Sequence, residues 1–177
     1  YTKQFGKKAY ITKATSQLMR DLGSIPSPNN CFLLNIGLET LPLRMERHCS
    51  NAQKTAEFLA SHEKVSKVIY PGLPGDKYHA LAEKYLPNGS CGVISFELEG
   101  GREAAVRFMD SLELANICTH VAASKTMVLH PASHTHRQMN DEQLREAGVS
   151  PGMIRLSVGI EHIDDILADL EKALKNA

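Results

Sequence analysis

Arg155 is the first residue whose type and setting suggest chemistry. Ile154, Leu156 and Val158 alternate with two polar residues, Arg155 and Ser157. A strand with this pattern points the arginine away from the apolar side chains. A rigidly held guanidinium can bind a carboxylate, such as that of an amino acid, through two parallel donors. A structural ion pair with a nearby Asp or Glu would explain the same pattern, so both interpretations stay open.

Three histidines, His130, His134 and His136, form a second group with spacing that a metal could use. No Cys, Asp or Glu lies between them to complete a ligand set, and Pro131 interrupts any helix that would align them. We therefore expect loop histidines and no metal site.

Two further candidates for covalent chemistry lie just upstream. Lys125 follows the small residues Ala123 and Ser124, and a buried lysine there could form a Schiff base with pyridoxal phosphate (PLP). No glycine-rich segment nearby would hold the phosphate, so an exposed lysine is expected. Cys118 and His120 would share one strand face, as a thiol and a base require, but no Asn or Asp is placed to orient the histidine.

Length, charge and cysteine pattern restrict the class of protein. The 177 residues suffice for one compact domain with a core. Twenty basic residues balance twenty acidic ones, so we expect no nucleic-acid partner, and no apolar run is long enough to span a membrane. The four cysteines lack a C-x-x-C pair and the polar start lacks a secretory signal, which predicts a cytoplasmic protein with reduced thiols. Because the sequence begins at Tyr1 and not at Met, we expect a piece of a longer protein.

The elements that must position these residues follow from periodicity and breakers. Helices are predicted at 9–22, 31–40, 42–62, 76–85, 103–112, 141–147 and 160–174. Strands are predicted at 65–70, 92–98, 117–121, 125–130 and 154–158. The order predicts an α/β or α+β domain whose small sheet is covered by helices on one face. Apolar residues nearly surround the 31–40 helix, so we expect burial on several sides, against a missing domain or a second subunit.

Several segments together resemble a known family. The stretch 148–170, GVSPGMIRLSVGIEHIDDILADL, resembles the end of the Cys/Met-metabolism PLP enzymes. Four earlier segments also resemble the family and occur in the same order as in that family. They are SPNNCFLL at 27–34, GLETLPLRMERH at 37–48, VIYPGLP at 68–74 and LHPASHTHR at 129–137. The resemblance covers essentially the whole chain.

The resemblance implies a fold and an organisation. It implies the C-terminal small domain of a type I PLP-dependent transferase, with a small, mostly antiparallel sheet covered by helices. Residues 1–26 would be the tail of the large PLP domain or a linker, and residues 27–177 the small domain. The family's Schiff-base lysine has no counterpart here, so no catalytic residue and no covalent PLP attachment are expected in this chain. Partners implied are an N-terminal PLP-binding domain and further copies, as a homotetramer.

The resemblance also assigns site residues. Arg155 matches the arginine that grips the substrate α-carboxylate, and Thr135 matches a threonine that faces the substrate. His120 and Val121 match a Ser-Leu segment that lines the active site. The family often has Ser-Leu-Gly there, so His-Val-Ala keeps backbone contacts but cannot supply a serine side chain. His136 would be structural support.

Within the family, His-Pro-Ala-Ser, Thr-His-Arg-Gln and Arg-Leu-Ser-Val-Gly-Ile-Glu-His most resemble the O-acetylhomoserine sulfhydrylase branch. That branch replaces the acetate of O-acetylhomoserine by sulfide or a thiol, giving homocysteine or methionine, with PLP as the electron sink. A methionine γ-lyase or a cystathionine γ-synthase or lyase is the alternative enzyme. A standalone interaction module derived from the same fold is the alternative outside enzymes.

Overall fold

The computed structural model describes residues 1–177 and divides into two compact units, Tyr1–Thr40 and Leu41–Ala177. The sequence instead suggested a boundary between residues 26 and 27. The two units reflect contacts within this chain alone and do not test a domain boundary in a longer protein. The assignment of residues 27–177 to a small domain therefore stays a prediction.

The first unit is entirely helical. It contains α1 (Thr2–Phe5), a 3-10 turn (Gly6–Lys8), α2 (Ala9–Lys13), a π-helix (Ala14–Met19), α3 (Arg20–Leu22) and α4 (Pro28–Glu39). The helical run predicted over 9–22 is confirmed, with a π-helical middle that the sequence did not indicate. Gly23 ends it in the left-handed conformation, φ 64°. Ser27 then caps α4 by accepting the amide of Asn30.

Helix α4 has apolar side chains on most of its surface and buries none of them within the chain. Their exposed fractions lie between 47% and 64%, for Phe32, Leu33, Leu34, Ile36 and Leu38. The burial predicted for this helix is therefore absent from the chain itself. A helix that is apolar all round is stable in water only when other protein covers it.

The second unit contains a sheet and its covering helices. Its elements are α5 (Leu41–Ser61), β1 (Val65–Ile69), α6 (His79–Tyr85), β2 (Val93–Leu98), α7 (Gly101–Asp110), β3 (Asn116–Ile117), β4 (Met127–Leu129), a 3-10 turn (Pro131–Ser133), α8 (Asp141–Glu146), β5 (Met153–Ser157) and α9 (Ile163–Lys175). The five strands lie in the order β1-β2-β5-β4-β3. Only β3 and β4 run parallel, which confirms the mostly antiparallel sheet.

The core lies on one face of this sheet. Helices α5 and α7 pack on its strands, and α9 packs on both helices. The inward residues of β2 and β5 are fully buried, as are Phe108 and Leu170 from the covering helices. Alternation along β5 places Ile154 and Leu156 in this core. Arg155 consequently lies on the opposite face, as predicted.

The strand predicted over 117–121 is wrong beyond its first residue. Pairing with β4 continues through one further bond, from the Cys118 amide to the Val128 carbonyl at 3.0 Å, and the chain then leaves the sheet. Ala122 adopts φ 58°, far from the β region that strand residues occupy. The last helix also starts later than predicted, at Ile163, because Asn51 on α5 holds the carbonyls of Gly159 and Glu161 in a link before it.

None of the helices combines the length and apolar character that crossing a membrane requires.

Candidate functional site

Arg155 rises from the open face in the middle of the sheet. Its neighbours across the strands are Ser95 on β2 and Leu129 on β4. The side chain is half-buried, and its Nη2 donates a hydrogen bond of 2.7 Å to the carbonyl of Thr119. Its Nε is buried without a partner. Buried donors are nearly always paired, and Arg155 Nε is one of three buried side-chain polar atoms in the chain without a partner.

The charge of Arg155 is also unpaired. The eight ion pairs of the chain do not include it. The structural ion pair that the sequence left open is therefore absent from this chain. A cation held in a half-buried position by a neutral carbonyl is suited to bind an anionic group, because the surrounding protein screens the attraction less than water does.

A short segment, residues 119–122, lies beside this guanidinium. Thr119 accepts from Arg155 at one end, and the Ala122 amide donates to Ser157 Oγ at the other, at 3.1 Å. Arg155 and Ser157 are two apart on β5 and share a face. His120 and Val121 form the exposed middle of the segment. The structure thus brings three of the predicted site residues, Arg155, His120 and Val121, into one place.

Thr135, the fourth predicted site residue, is less closely connected. The 3-10 turn before it packs against β5. Thr135 itself is exposed, and its hydroxyl lies 2.9 Å from Nδ1 of His136. No hydrogen bond joins Thr135 to Arg155 or to the 119–122 segment. Its place facing the substrate stays a prediction.

The buried side chain of His130 holds this turn through two hydrogen bonds. Its Nε2 donates to the Pro151 carbonyl at 2.8 Å, so Nδ1 in the neutral ring accepts from Ser133 Oγ, also 2.8 Å away. Burial lowers the pKa of His130, and the charge of Arg102 lowers it further. The neutral imidazole uses both ring nitrogens in hydrogen bonds that hold the loop in place, so neither nitrogen is left for a metal.

The link after β5 is fixed by a polar network that sequence reasoning missed. Glu161 accepts from the amide and the hydroxyl of Thr126, at 2.7 and 3.0 Å, and Thr126 Oγ1 accepts from the Gly159 amide at 2.9 Å. Asn51 on α5 donates to the carbonyls of Gly159 and Glu161. The partners are 33 to 110 residues apart, so no local pattern signals them. Ser157, by contrast, shares the alternation of Arg155 and was visible in the sequence.

The other candidates for covalent or metal chemistry lack the surroundings that such chemistry needs. Lys125 is exposed, and Cys118 forms no hydrogen bond with His120. The chain contains no group of three or more His, Cys, Asp or Glu side chains arranged for a metal. Exposed Lys125 offers no enclosed amine for PLP, whereas the half-buried Arg155 fits a substrate carboxylate.

Comparison with known sequences places the chain in a family. A family model described as Cys/Met metabolism PLP-dependent enzyme matches residues 5–175. An O-acetyl-L-homoserine sulfhydrylase of Leptospira meyeri is 52% identical over 95% of the chain, which covers 38% of that protein. A homocysteine synthase of Schizosaccharomyces pombe is 46% identical over the whole chain and 41% of its own length. The chain thus spans about two fifths of these relatives.

Comparison with solved structures agrees. A crystal structure from Campylobacter jejuni, assigned as an O-acetylhomoserine (thiol)-lyase, matches with a TM-score of 0.85 and 40% identity. The match covers 94% of this chain and 40% of that one, which carries a pyridoxyl-lysine phosphate at its own position 205. The family model spans nearly the whole chain, and sequence and fold point the same way. The chain belongs to the family of Cys/Met metabolism PLP-dependent enzymes.

Proposed function

We propose that this chain is the C-terminal part of an O-acetylhomoserine sulfhydrylase and supplies the substrate-carboxylate side of its active site. The observation that carries the proposal is Arg155, a half-buried cation with no acidic partner and a buried Nε that lacks an acceptor. An amino-acid carboxylate would supply the missing opposite charge. The named sulfhydrylase and homocysteine synthase among the similar proteins support the choice of reaction.

The reaction proposed is γ-replacement. Acetate leaves O-acetylhomoserine, and sulfide or a thiol takes its place, giving homocysteine or methionine. PLP, when bound in the complete enzyme, withdraws electrons from the substrate and makes this replacement feasible. Arg155 binds the α-carboxylate through parallel N–H donors and so orients the amino acid. His120 and Val121 flank that carboxylate, and Thr135 faces the substrate from the neighbouring turn.

The proposal extends to the organisation of the complete protein. Residues 27–177 would form the small domain, and residues 1–26 would connect it to an N-terminal PLP-binding domain. The exposed apolar surface of α4 supports contact with that domain or with a second subunit in a homotetramer. All four cysteines are free thiols, which supports a reducing, cytoplasmic setting.

The 177-residue chain alone is expected to lack activity and covalent cofactor. Lys125 is the lysine whose sequence setting raised the question, and it is exposed. Incubation with PLP and borohydride should give no stoichiometric adduct at Lys125, as judged by mass spectrometry of the digested chain. A stoichiometric adduct there would contradict the proposal that the cofactor is attached outside this chain.

The proposed reaction is tested with the complete gene product and PLP. Homocysteine formation from O-acetylhomoserine and sulfide is measured beside cleavage of methionine and formation of cystathionine. We expect homocysteine formation to dominate. Cleavage of methionine alone would replace the proposal by a γ-lyase, and cystathionine formation alone by a cystathionine synthase. A gene whose start codon lies near Tyr1, with no PLP lysine upstream, would favour a binding module instead.

A further inference from the structure

Ser157 lies on the same face as Arg155 and has a contact of its own with the segment beside it. Its side chain is almost completely buried, at 1% exposure, and its Oγ accepts the amide of Ala122. Its neighbours across the sheet, Val93 and Met127, are apolar. A buried hydroxyl between two apolar residues needs a polar partner, and the Ala122 amide is the one that the structure provides.

That contact fixes an uncommon backbone conformation. Ala122 is the only residue other than glycine with a positive φ, at 58°. For a residue with a Cβ this conformation costs about 1–2 kcal/mol, so specific contacts must compensate. The Ser157 hydroxyl is such a contact. Without it, the strained corner at Ala122 loses the bond that ties it to the sheet.

The position of this corner matters for Arg155. The same four-residue segment ends at Thr119, whose carbonyl is the only hydrogen-bond acceptor of the guanidinium within the chain. Two bonds, of 2.7 and 3.1 Å, thus connect neighbouring outward side chains of β5 to the two ends of one short segment. Movement at Ala122 would therefore reach the carbonyl that orients Arg155, three residues away, and would carry His120 and Val121 with it.

We propose that Ser157 is a positioning residue for binding of the substrate carboxylate. It acts by holding the 119–122 segment, so that Thr119 directs the guanidinium of Arg155 toward the ligand. The proposal rests on the proposed function only in that the ligand is an amino acid. Ser157 itself does not touch the substrate in this account.

The first test measures the segment directly by amide hydrogen exchange in the complete gene product without substrate. Ser157→Ala removes one oxygen and should increase exchange of the Ala122 amide by about tenfold or more, because the loss of a protecting hydrogen bond of about 1.4 kcal/mol corresponds to a factor of ten. Ser66→Ala is the matched control, since Ser66 also bonds a backbone group but lies on the edge strand β1. It should leave exchange of the Ala122 amide unchanged.

The second test separates binding from turnover. Ser157→Ala should raise KM for the amino-acid substrate by about tenfold and change kcat by less than about twofold. Ser157→Thr keeps the hydroxyl and should return KM most of the way to the wild-type value. Ser66→Ala should alter neither constant. A purely structural role would lower stability and active fraction, and would leave KM unchanged.

The outcomes are independent of which reaction the enzyme performs. Every candidate substrate carries an α-carboxylate, so KM is measured with whichever amino acid the wild-type enzyme accepts. Absence of homocysteine formation overturns the proposed function but not the role of Ser157. Unchanged exchange of the Ala122 amide, or an unchanged KM in Ser157→Ala, overturns the role of Ser157 even in an active sulfhydrylase.

Discussion

Arg155 is held by a backbone carbonyl and not by a carboxylate, and this choice of partner leaves its charge for a ligand. An internal Asp or Glu would compete with any anionic ligand for the same donors. Thr119 orients the guanidinium without neutralising it, so the charge of Arg155 stays available to an anionic ligand. In the proposed function, recognition of the carboxylate therefore depends on one side chain and on the backbone that orients it.

Replacement of Arg155 tests this account in the complete gene product. Arg155→Ala should lower kcat/KM by about 30- to 1000-fold, which corresponds to about 2–4 kcal/mol for a lost charged contact. Arg155→Lys keeps the charge but loses the forked geometry, so its kcat/KM should lie between those of the wild type and of Arg155→Ala. Arg107→Ala, on the exposed side of α7, is the control and should be silent. Steady-state kinetics with equal kcat/KM for Arg155→Ala and wild type would remove Arg155 from the site.

Ala122 offers a prediction about stability. Glycine adopts φ 58° without the steric cost that a Cβ imposes, although it loses more backbone entropy on folding. Ala122→Gly should therefore raise the free energy of unfolding by about 0.5–1 kcal/mol, measured in urea. Ala123→Gly is the matched control, because Ala123 has a negative φ, and it should lower stability by a similar amount. A loss of stability in both variants would contradict strain at Ala122.

His130 predicts how stability depends on pH. Its pKa in the folded chain lies below the ordinary value of 6.5, chiefly through burial, with smaller effects of Arg102 and His134. The unfolded chain therefore binds a proton at His130 that the folded chain does not, and the stability that the neutral ring contributes is lost as the pH falls from 6.5 toward the lower folded pKa. Urea unfolding at about pH 7.5 and 5.5 should show this decrease. His130→Gln should lower stability at both pH values and reduce the difference between them.

At the scale of elements, strong local sequence patterns were sufficient to predict the strands and helix that form much of the core. The alternation in β2 and β5 and the apolar stripe of α9 predicted these elements to within a few residues, because each pattern is fixed by one buried face. The same alternation correctly predicted that Arg155 lies on the open face of the sheet. The place of His120 and Val121 beside Arg155 was indicated only by their match to a family segment.

Long-range contacts explain what the sequence could not predict. The strand expected over 117–121 has the composition of a strand, but residues 119–122 leave the sheet and form hydrogen bonds with the side chains of Arg155 and Ser157 on β5. The link between Thr126 and Glu161 spans 35 residues and leaves no periodic trace. Such contacts override local propensity, and they occur here in the segments that form the site.

Two buried threonines allow the contribution of the Thr126 hydrogen bonds to stability to be measured. Thr126→Val removes the acceptor of the buried Gly159 amide and should cost about 1–3 kcal/mol of stability. Thr55 on α5 is also fully buried, but its hydroxyl has no partner. Thr55→Val should consequently be neutral or stabilising. Urea unfolding of both variants gives the comparison, and an equal cost for the two would contradict the role of the Thr126 network.

At the scale of the whole molecule, the chain contains one well-covered sheet and one uncovered helix. The sheet of the second unit has its core between β-strands and α5, α7 and α9. Helix α4 in the first unit has no such cover, although its side chains are as apolar as those of the core. Burial of one such side chain is worth about 1.5–3 kcal/mol, so a surface of five cannot remain in water without a large cost. The complete protein is therefore expected to cover α4.

Substitution of two residues on α4 tests this expectation in the complete gene product. Phe32→Ser with Leu34→Ser should lower stability or assembly by about 3–6 kcal/mol, twice the value for one buried side chain. Tyr85→Ser is the control, because Tyr85 on α6 is 66% exposed, close to the 62% of Phe32. Sedimentation and thermal unfolding together identify the cover. A smaller assembly indicates a second subunit, whereas an unchanged assembly with a lower melting temperature indicates the upstream domain of the same polypeptide. No change in either measurement would show that α4 remains exposed.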